Sequence, residues 1–258
     1  MQLMKEIPSP NVTYIYPHLF PAGILPITFS VRSHGQGIFE FNPLVSGFSS
    51  ANITNALDGA FENYNIAGAT YPVTITGAKV DSKESKLAGS TRFCTMDLSF
   101  AQYLTKIISD RAVIDIISSE RTVERGDISF QKTDWWEMVN VSQYFRFMKY
   151  STGGEHFPHY DSDFVYEYNG AVTKYSIVVY FNDCDSGEIA FINDTTGHEK
   201  NCSDWTRQAN DDEIFLKIRP TTMKILLFPH TLCHTVLPFT DKNNVRYICR
   251  GDILFKRV

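Results

Sequence analysis

The chain has 258 residues, of which 43% are hydrophobic and 21% are charged, which is ordinary for a soluble globular protein. Its formal net charge of −5 argues against bulk nucleic-acid binding, because nucleic-acid-binding proteins carry basic surfaces. The N-terminus lacks the apolar core of a signal peptide, and prolines interrupt the apolar stretch over residues 14–29. Neither a signal peptide nor a membrane span is therefore predicted.

The five cysteines are scattered along the chain, and none belongs to a CxxC pair. An odd, dispersed set is typical of reduced thiols and not of a disulfide framework. We therefore expect a cytoplasmic protein.

The first half of the chain predicts a mixture of loops, short strands and two helices. Residues 1–48 are rich in proline, glycine and aromatic side chains, which favours loops and short strands. Ser49 and Ser50 can cap a helix whose apolar side chains recur at helical spacing up to residue 64, and residues 71–76 alternate like a strand. A second helix is predicted to begin at Asp97 or Ser99, with an apolar face that includes Phe100.

From residue 127 onward the pattern changes to short strands separated by turns. The predicted strands are 127–131, 143–150, 175–181, 188–192, 213–218, 222–228 and 245–255. Many short strands with turn residues between them indicate a sandwich or barrel, here in a mainly β fold of the α+β class with flanking helices. We expect residues 95–258 to form the main domain and residues 1–94 to form an extension packed on it.

A metal site is predicted at His159-x-Asp161. In an extended strand, residues two apart point to the same side, so this imidazole and carboxylate can meet one ion. A third ligand is needed, and His234 is the best candidate downstream. Two histidines and one carboxylate make up the facial triad of non-haem Fe(II) oxygenases. The pair His230-x-x-x-His234 also allows a zinc site, but Pro229 disfavours the helix that this spacing would need.

Further motifs surround this triad in a recognisable order. Tyr150 and Gly153 precede His159-x-Asp161, and the pairs Asn182-Asp183 and Gly187-Glu188 follow at the ends of predicted strands. The motifs that close the series are His234, Val236, Pro238 and Arg246. This ordered set resembles the prolyl 4-hydroxylase-type family of 2-oxoglutarate, Fe(II)-dependent oxygenases over roughly residues 95–258. His156 stands where that family usually has tyrosine or phenylalanine.

The resemblance implies a double-stranded β-helix core, of the jelly-roll or cupin-like kind, and a hydroxylase that uses Fe(II), 2-oxoglutarate and O₂, with ascorbate as an optional reductant. It implies catalytic metal ligands at His159, Asp161 and His234. Its substrate would be a prolyl residue in a protein or peptide, with a free amino acid or other small metabolite as the alternative. A third alternative, of another class, is a non-catalytic binding module that retains the barrel.

The distal carboxylate of 2-oxoglutarate requires a buried cation, and we expect Arg246 to supply it, because guanidinium binds carboxylate in a forked, charge-assisted geometry. Lys242 and Arg250 are its rivals. The resemblance implies a second donor at Tyr150 and a weaker one at Ser176. Three more residues are expected near the substrate, on weaker grounds: Arg250, Tyr160 and Asp163.

Overall fold

The computed structural model describes residues 2–4, 28–44, 50–66, 90–109, 113–114, 117, 136–166, 170–193 and 207–257. The described helices with defined bounds are α1 (Ser50–Ile66) and α2 (Leu98–Ile108). The described strands are β1 (Gln2–Met4), β2 (Phe29–Gly35), β3 (Ile38–Pro43), β4 (Ser90–Met96), β5 (Trp136–Val141), β6 (Tyr144–Tyr150), β7 (His156–His159), β8 (Phe164–Tyr166), β9 (Val172–Tyr180), β10 (Ile189–Ile192), β11 (Ile214–Ile218), β12 (Ile225–Pro229), β13 (His234–Val236) and β14 (Arg246–Arg257).

The strands form two sheets. The larger has the order β2-β3-β12-β9-β14-β6-β4, with β1, β5 and β8 attached beside this path, and the smaller has the order β11-β10-β13-β7. Eight strands, β6, β7 and β9 to β14, make up the two halves of a jelly roll. Except between β10 and β11, each of these strands is followed by one in the other sheet, and neighbours within each sheet pair antiparallel. The predicted mainly β fold with a double-stranded β-helix core is confirmed.

Alternation along β14 separates two faces of the larger sheet. Tyr247 and Cys249 belong to the apolar cluster that the helices cover, together with Phe100 of α2. Ile248 belongs instead to a second cluster, shared with Phe191 of the smaller sheet. The even-numbered residues of β14 therefore face the space between the two sheets, where a site can be enclosed.

Both described helices lie at the sequence positions predicted for them, and both pack on the larger sheet. The carboxylate of Asp97 caps α2 by accepting from the backbone N–H of Phe100 at 2.9 Å, which satisfies an otherwise unpaired donor. Helix α1 is tied to the sheet by Asp58, which accepts from Lys149 Nζ at 2.5 Å and from the Tyr247 hydroxyl at 2.6 Å. The helices thus cover the outer face of the larger sheet and leave its inner face to the site.

The described strands from the first ninety-six residues belong to the larger sheet. Strand β3 pairs with β12, and β4 pairs with β6 across the predicted boundary between residues 94 and 95. A buried ion pair, Lys224 Nζ to Glu40 Oε1 at 3.0 Å, also joins β3 to the core. This part of the chain extends the jelly roll at both edges.

The later strand predictions agree with β6, β9, β10, β11, β12 and β14 to within a few residues. The predicted strands over 71–76 and 127–131 lie outside the described residues. Among the described residues, no helix is long and apolar enough to cross a membrane. The four described cysteines, Cys94, Cys184, Cys233 and Cys249, are buried free thiols.

Candidate metal centre

Antiparallel pairing brings the two predicted histidine ligands together. His159 is the last residue of β7, His234 is the first residue of β13, and the two are direct partners in the strand register. Their ring centroids lie 4.3 Å apart. Residues that oppose each other across neighbouring strands carry their side chains to the same face, so the backbone alone places both imidazoles at one point.

Asp161 completes the cluster from just beyond the end of β7, and not from within a strand as the sequence predicted. His159 Nε2 lies 3.8 Å from Asp161 Oδ1, and His234 Nε2 lies 3.7 Å from Asp161 Oδ2. One ligand atom from each of the three residues lies within 4.8 Å of the others. The structure thus brings together the three side chains that the sequence singled out.

Backbone carbonyls orient both imidazoles. His159 Nδ1 lies 2.8 Å from the carbonyl oxygen of Phe157, and His234 Nδ1 lies 3.1 Å from that of Leu232. A proton on Nδ1 donated to these carbonyls leaves Nε2 free as the ligand atom, an arrangement common among metal-binding histidines. Burial lowers the pKa of His159 well below its usual value and also lowers that of His234. Both rings are therefore neutral, as ligation requires.

The carboxylate of Asp161 is held by two side chains from the larger sheet. Arg250 Nη2 lies 2.8 Å from Oδ1, and the Ser176 hydroxyl donates to Oδ2 at 2.5 Å. Burial alone would raise the pKa of Asp161, but the positive charge of Arg250 holds it well below its usual range. An ionised carboxylate beside two neutral imidazoles fits the donor set that a divalent metal ion requires.

Arg246 is buried at the first position of β14, opposite Tyr150 of β6. Its Nη1 donates to the carbonyl oxygen of Gly187, and its Cζ lies 4.0 Å from the centroid of the Tyr150 ring. Its Nε and Nη2 have no hydrogen-bond partner among the described residues. A buried guanidinium with unpaired N–H groups is a site for an anion, and its forked donors suit a carboxylate.

Gly187 makes this position of Arg246 available. The glycine has φ of +76°, and a Cβ added there would lie 2.7 Å from Arg246 Nη1. Any other residue would therefore meet both backbone strain and the guanidinium. The Gly187-Glu188 motif noted in the sequence has a physical reason in this contact.

Two phenols lie close enough to Arg246 to interact with its charge. Burial raises the pKa of Tyr150, although the charge of Arg246 opposes the increase, and the Tyr150 hydroxyl lies 3.6 Å from the weak acceptor Met148 Sδ. Burial likewise raises the pKa of Tyr180, again opposed by Arg246. Both hydroxyls stay protonated at neutral pH and can donate. Tyr180 was not predicted as a site residue. Its position at the end of β9, with its side chain on the inner face, could have indicated a place near the site.

Ser176 and Arg250 lie at the metal ligand and not beside Arg246. The Ser176 hydroxyl bonds Asp161, and Arg250 Nη2 also approaches Asp252 Oδ1 at 3.2 Å. The expected role of Ser176 toward 2-oxoglutarate stays a prediction. Lys242, the other rival of Arg246, is exposed.

The remaining predicted residues lie around the triad. His230 is outside the metal-ligand group, because its Nδ1 lies 2.8 Å from Asp163 Oδ1 and its Nε2 lies 3.3 Å from Asp252 Oδ1.

The ring of His156 lies 3.7 Å, centroid to centroid, from that of His159. Tyr160 packs against the small apolar cluster of Ile192 and Cys233. The partly exposed Tyr160 and Asp163 flank Asp161 in the segment between β7 and β8.

No family model matches the chain, and no curated protein matches it. Solved structures of 2-oxoglutarate, Fe(II)-dependent oxygenases resemble it at low sequence identity. A prolyl-4-hydroxylase from Pseudomonas putida is 14% identical, with a TM-score of 0.43 and coverage of 85% of this chain and 92% of that one.

Two further structures are similar to a comparable degree. A Trichoplax adhaerens prolyl hydroxylase, in complex with a hypoxia inducible factor peptide fragment, is 14% identical, with a TM-score of 0.45 and coverage of 85% and 84%. The viral collagen prolyl hydroxylase of Paramecium Bursaria Chlorella virus-1 is 13% identical, with a TM-score of 0.41 and coverage of 85% and 97%. These likenesses are distant, so the function of this chain has to be inferred from its own residues.

Proposed function

We propose that the protein is an Fe(II)- and 2-oxoglutarate-dependent dioxygenase that hydroxylates an unactivated C–H bond. The observation that carries this proposal is that a possible metal site and a buried arginine occur together between the two sheets. A two-histidine, one-carboxylate cluster lies between the sheets, and a buried guanidinium with unpaired N–H groups lies on the same inner face of β14. A metal alone would need the first feature, whereas a metal with a dicarboxylate cosubstrate needs both.

His159, Asp161 and His234 would hold the iron through Nε2, a carboxylate oxygen and Nε2. When bound, the ion together with 2-oxoglutarate and O₂ supplies the oxidising chemistry, which these side chains cannot supply themselves. The residues contribute a neutral pair of imidazoles, an ionised carboxylate and a geometry with three coordination positions left open. The backbone carbonyls behind the two rings keep Nε2 directed at the ion.

Arg246 would bind the distal carboxylate of 2-oxoglutarate, with a hydrogen bond from Tyr150. Arg246 and Arg250 are four residues apart on one strand face, so their Cα atoms are about 13 Å apart. Arg250 lies 2.8 Å from the metal ligand Asp161, so Arg246 shares a strand face with a residue that contacts the metal site. Apolar side chains, including Ile248 and Val236, lie between the sheets, and these surroundings would strengthen an ion pair between Arg246 and a bound carboxylate.

The substrate that we propose is a prolyl residue in a protein or peptide. The order of the motifs supports this choice, from Tyr150 through His159-x-Asp161 to Arg246. Tyr160 and Asp163 lie beside the metal ligand and are partly exposed, so they are the described residues best placed to meet a substrate there. A free amino acid or other small metabolite is the competing substrate class, because substrate-contacting loops vary on a common scaffold.

The direct test is formation of succinate from 2-oxoglutarate in the presence of Fe(II), O₂ and ascorbate, across a panel of prolyl peptides and free amino acids. We expect turnover that depends on O₂ and on a peptide, and that is lost in Asp161→Ala. The matched control is Asp212→Ala, which removes an exposed aspartate and should leave turnover intact. Turnover with small molecules alone would exclude the prolyl-peptide substrate.

A non-catalytic module makes a different prediction in the same assay. It would bind the metal or a partner through the same residues without O₂-dependent decarboxylation. Metal binding by the wild-type protein, with no succinate formed under any substrate, would overturn the enzymatic proposal and favour the binding module.

A further inference from the structure

The three metal ligands differ in what fixes their positions. His159 and His234 sit in the hydrogen-bonded ladder between β7 and β13, so the sheet positions their rings. Asp161 follows the end of β7 and lies outside that ladder. Its carboxylate needs other contacts to keep the same orientation, because a loop residue is held less firmly than one in a strand.

Two neighbouring strands of the larger sheet provide those contacts. Arg250 of β14 reaches Oδ1 of Asp161 at 2.8 Å, and Ser176 of β9 reaches Oδ2 at 2.5 Å. Arg250 Nη2 also lies 3.2 Å from the Ser176 oxygen and 3.2 Å from Asp252 Oδ1. Each carboxylate oxygen thus receives one donor, the two donor side chains contact each other, and Arg250 also contacts Asp252.

The positive charge of Arg250 should by itself disfavour a metal ion at this site. A positive side chain beside a divalent ion repels it, so on electrostatic grounds alone the arginine would weaken metal binding. Asp252 Oδ1 lies 3.2 Å from Arg250 Nη2 and offsets part of the charge of the arginine. The charge of Arg250 also helps to keep Asp161 ionised, as another nearby cation could. What the guanidinium adds beyond its charge is orientation of the carboxylate, which a charge in the same region without the hydrogen bond cannot provide.

We propose that Arg250, together with Ser176, is a positioning residue that clamps the Asp161 carboxylate for metal binding. The inference rests on the proposed metal site. Residues that hold metal ligands from behind affect the affinity for the ion, typically by about 10- to 100-fold. The clamp and a simple charge effect predict opposite signs: loss of the clamp weakens binding, whereas loss of a nearby positive charge strengthens it.

The test is titration of the metal-free protein with Co(II), whose visible absorption reports both affinity and coordination geometry. We expect Arg250→Met to weaken Co(II) binding by about 10- to 100-fold and to alter the absorption bands. Arg250→Lys should recover part of the affinity, because the amine restores one donor. Ser176→Ala should weaken binding in the same direction without changing any charge.

The matched control is Arg146→Met. Arg146 is the register partner of Arg250 on β6, and its charge acts on Asp161, so the variant removes a positive charge from the same face. Because no hydrogen bond joins Arg146 to Asp161 among the described contacts, we expect Co(II) affinity that is equal to or higher than wild type, with an unchanged spectrum.

Arg250→Met with wild-type affinity and an unchanged spectrum would overturn the clamp, as would tighter binding. If Arg250→Met does not fold, Arg250→Lys and Ser176→Ala decide the question, and wild-type binding in both would overturn the clamp. Failure of the wild-type protein to bind Co(II) would overturn the metal site and the clamp with it. Absence of succinate formation, with the variant effects as expected, would leave the clamp standing and remove the enzymatic proposal alone.

Discussion

Arg246 is the residue that most clearly indicates a bound carboxylate, because a guanidinium is seldom buried without an anion. Its Nη1 is bonded to Gly187, and its Nε and Nη2 are free of hydrogen-bond partners among the described residues. Leaving charged donors unpaired in a dry interior costs free energy, so a bound carboxylate should be strongly favoured there.

Replacing Arg246 with methionine should therefore weaken 2-oxoglutarate binding without displacing the metal. Charge-assisted hydrogen bonds contribute about 2 to 3 kcal/mol, which corresponds to roughly 30- to 150-fold in Kd. Calorimetric titration of the Mn(II)-loaded protein with 2-oxoglutarate measures this change. Lys242→Met, which removes an exposed cation, serves as the control and should bind like wild type. A normal Kd in Arg246→Met would transfer the anchoring role to Arg250.

His230 should make the stability of the protein depend on pH. Burial alone would lower its pKa, but the carboxylates of Asp163 and Asp252 outweigh burial and raise it to about 9. A raised pKa stabilises the folded state fully below about pH 6.5, and this contribution is lost as the pH rises through about 9. Urea unfolding should show that loss in the wild type and a flatter profile in His230→Gln. Equal slopes in both proteins would exclude His230 as its source.

Sequence reasoning reached the residues of the triad but not the contacts that hold them. A two-residue spacing and a distant histidine suffice to suggest His159, Asp161 and His234, because ligand chemistry restricts the residue types. The partners of Ser176 and Arg250 depend instead on which strands become neighbours in the sheet. Residues close in sequence to Ser176 and Arg250 do not reveal this pairing. Both residues contact the Asp161 carboxylate, and this contact was not predicted.

At the level of elements, the turn before β10 determines where the Arg246 guanidinium can lie. Gly187→Ala should push that guanidinium away, because the new Cβ would lie 2.7 Å from Nη1. We expect weaker 2-oxoglutarate binding and a loss of about 1 kcal/mol in stability from the positive φ.

Gly153→Ala is the matched control for this variant. Gly153 has φ of +83° and no atom within 4 Å of an added Cβ, so it carries the same strain without the collision. Its stability should fall by a similar amount while its affinity for 2-oxoglutarate stays normal. Equal Kd values in the two variants would show that Gly187 does not position Arg246.

The two short strands that carry the histidine ligands, β7 and β13, were not predicted, although β10, which is as short as β7, was. The nine residues of β9 and the twelve of β14 carry enough β-prone side chains to be recognised, whereas β7 and β13 have four and three residues. Such short strands are stabilised by their neighbours, and a register shift within the β13–β7 pair weakens any alternation. The two histidine ligands lie on these short strands, so their convergence with Asp161 was inferred from chemistry and not from local pattern.

For the molecule as a whole, the strands that precede residue 95 are part of the larger sheet. Lys224 of the core lies 3.0 Å from Glu40 of β3, and both side chains are about nine-tenths buried. Lys224→Met should remove the lysine charge from Glu40, which keeps its contact with His34 Nε2 at 2.8 Å, and should lower the free energy of unfolding by about 3 kcal/mol.

The double variant Glu40→Gln, Lys224→Met tests the reason for that loss. It removes both charges, so urea unfolding should recover much of the stability. A double variant as unstable as Lys224→Met would mean that packing of the lysine, and not its charge, joins β3 to the core.

A crystal structure of the protein with Mn(II) and 2-oxoglutarate would show whether the metal ion and the dicarboxylate bind where we propose. We expect the ion to be bound by His159 Nε2, a carboxylate oxygen of Asp161 and His234 Nε2, with the distal carboxylate of 2-oxoglutarate on the guanidinium of Arg246. An ion bound elsewhere, or a carboxylate that does not contact Arg246, would contradict the account.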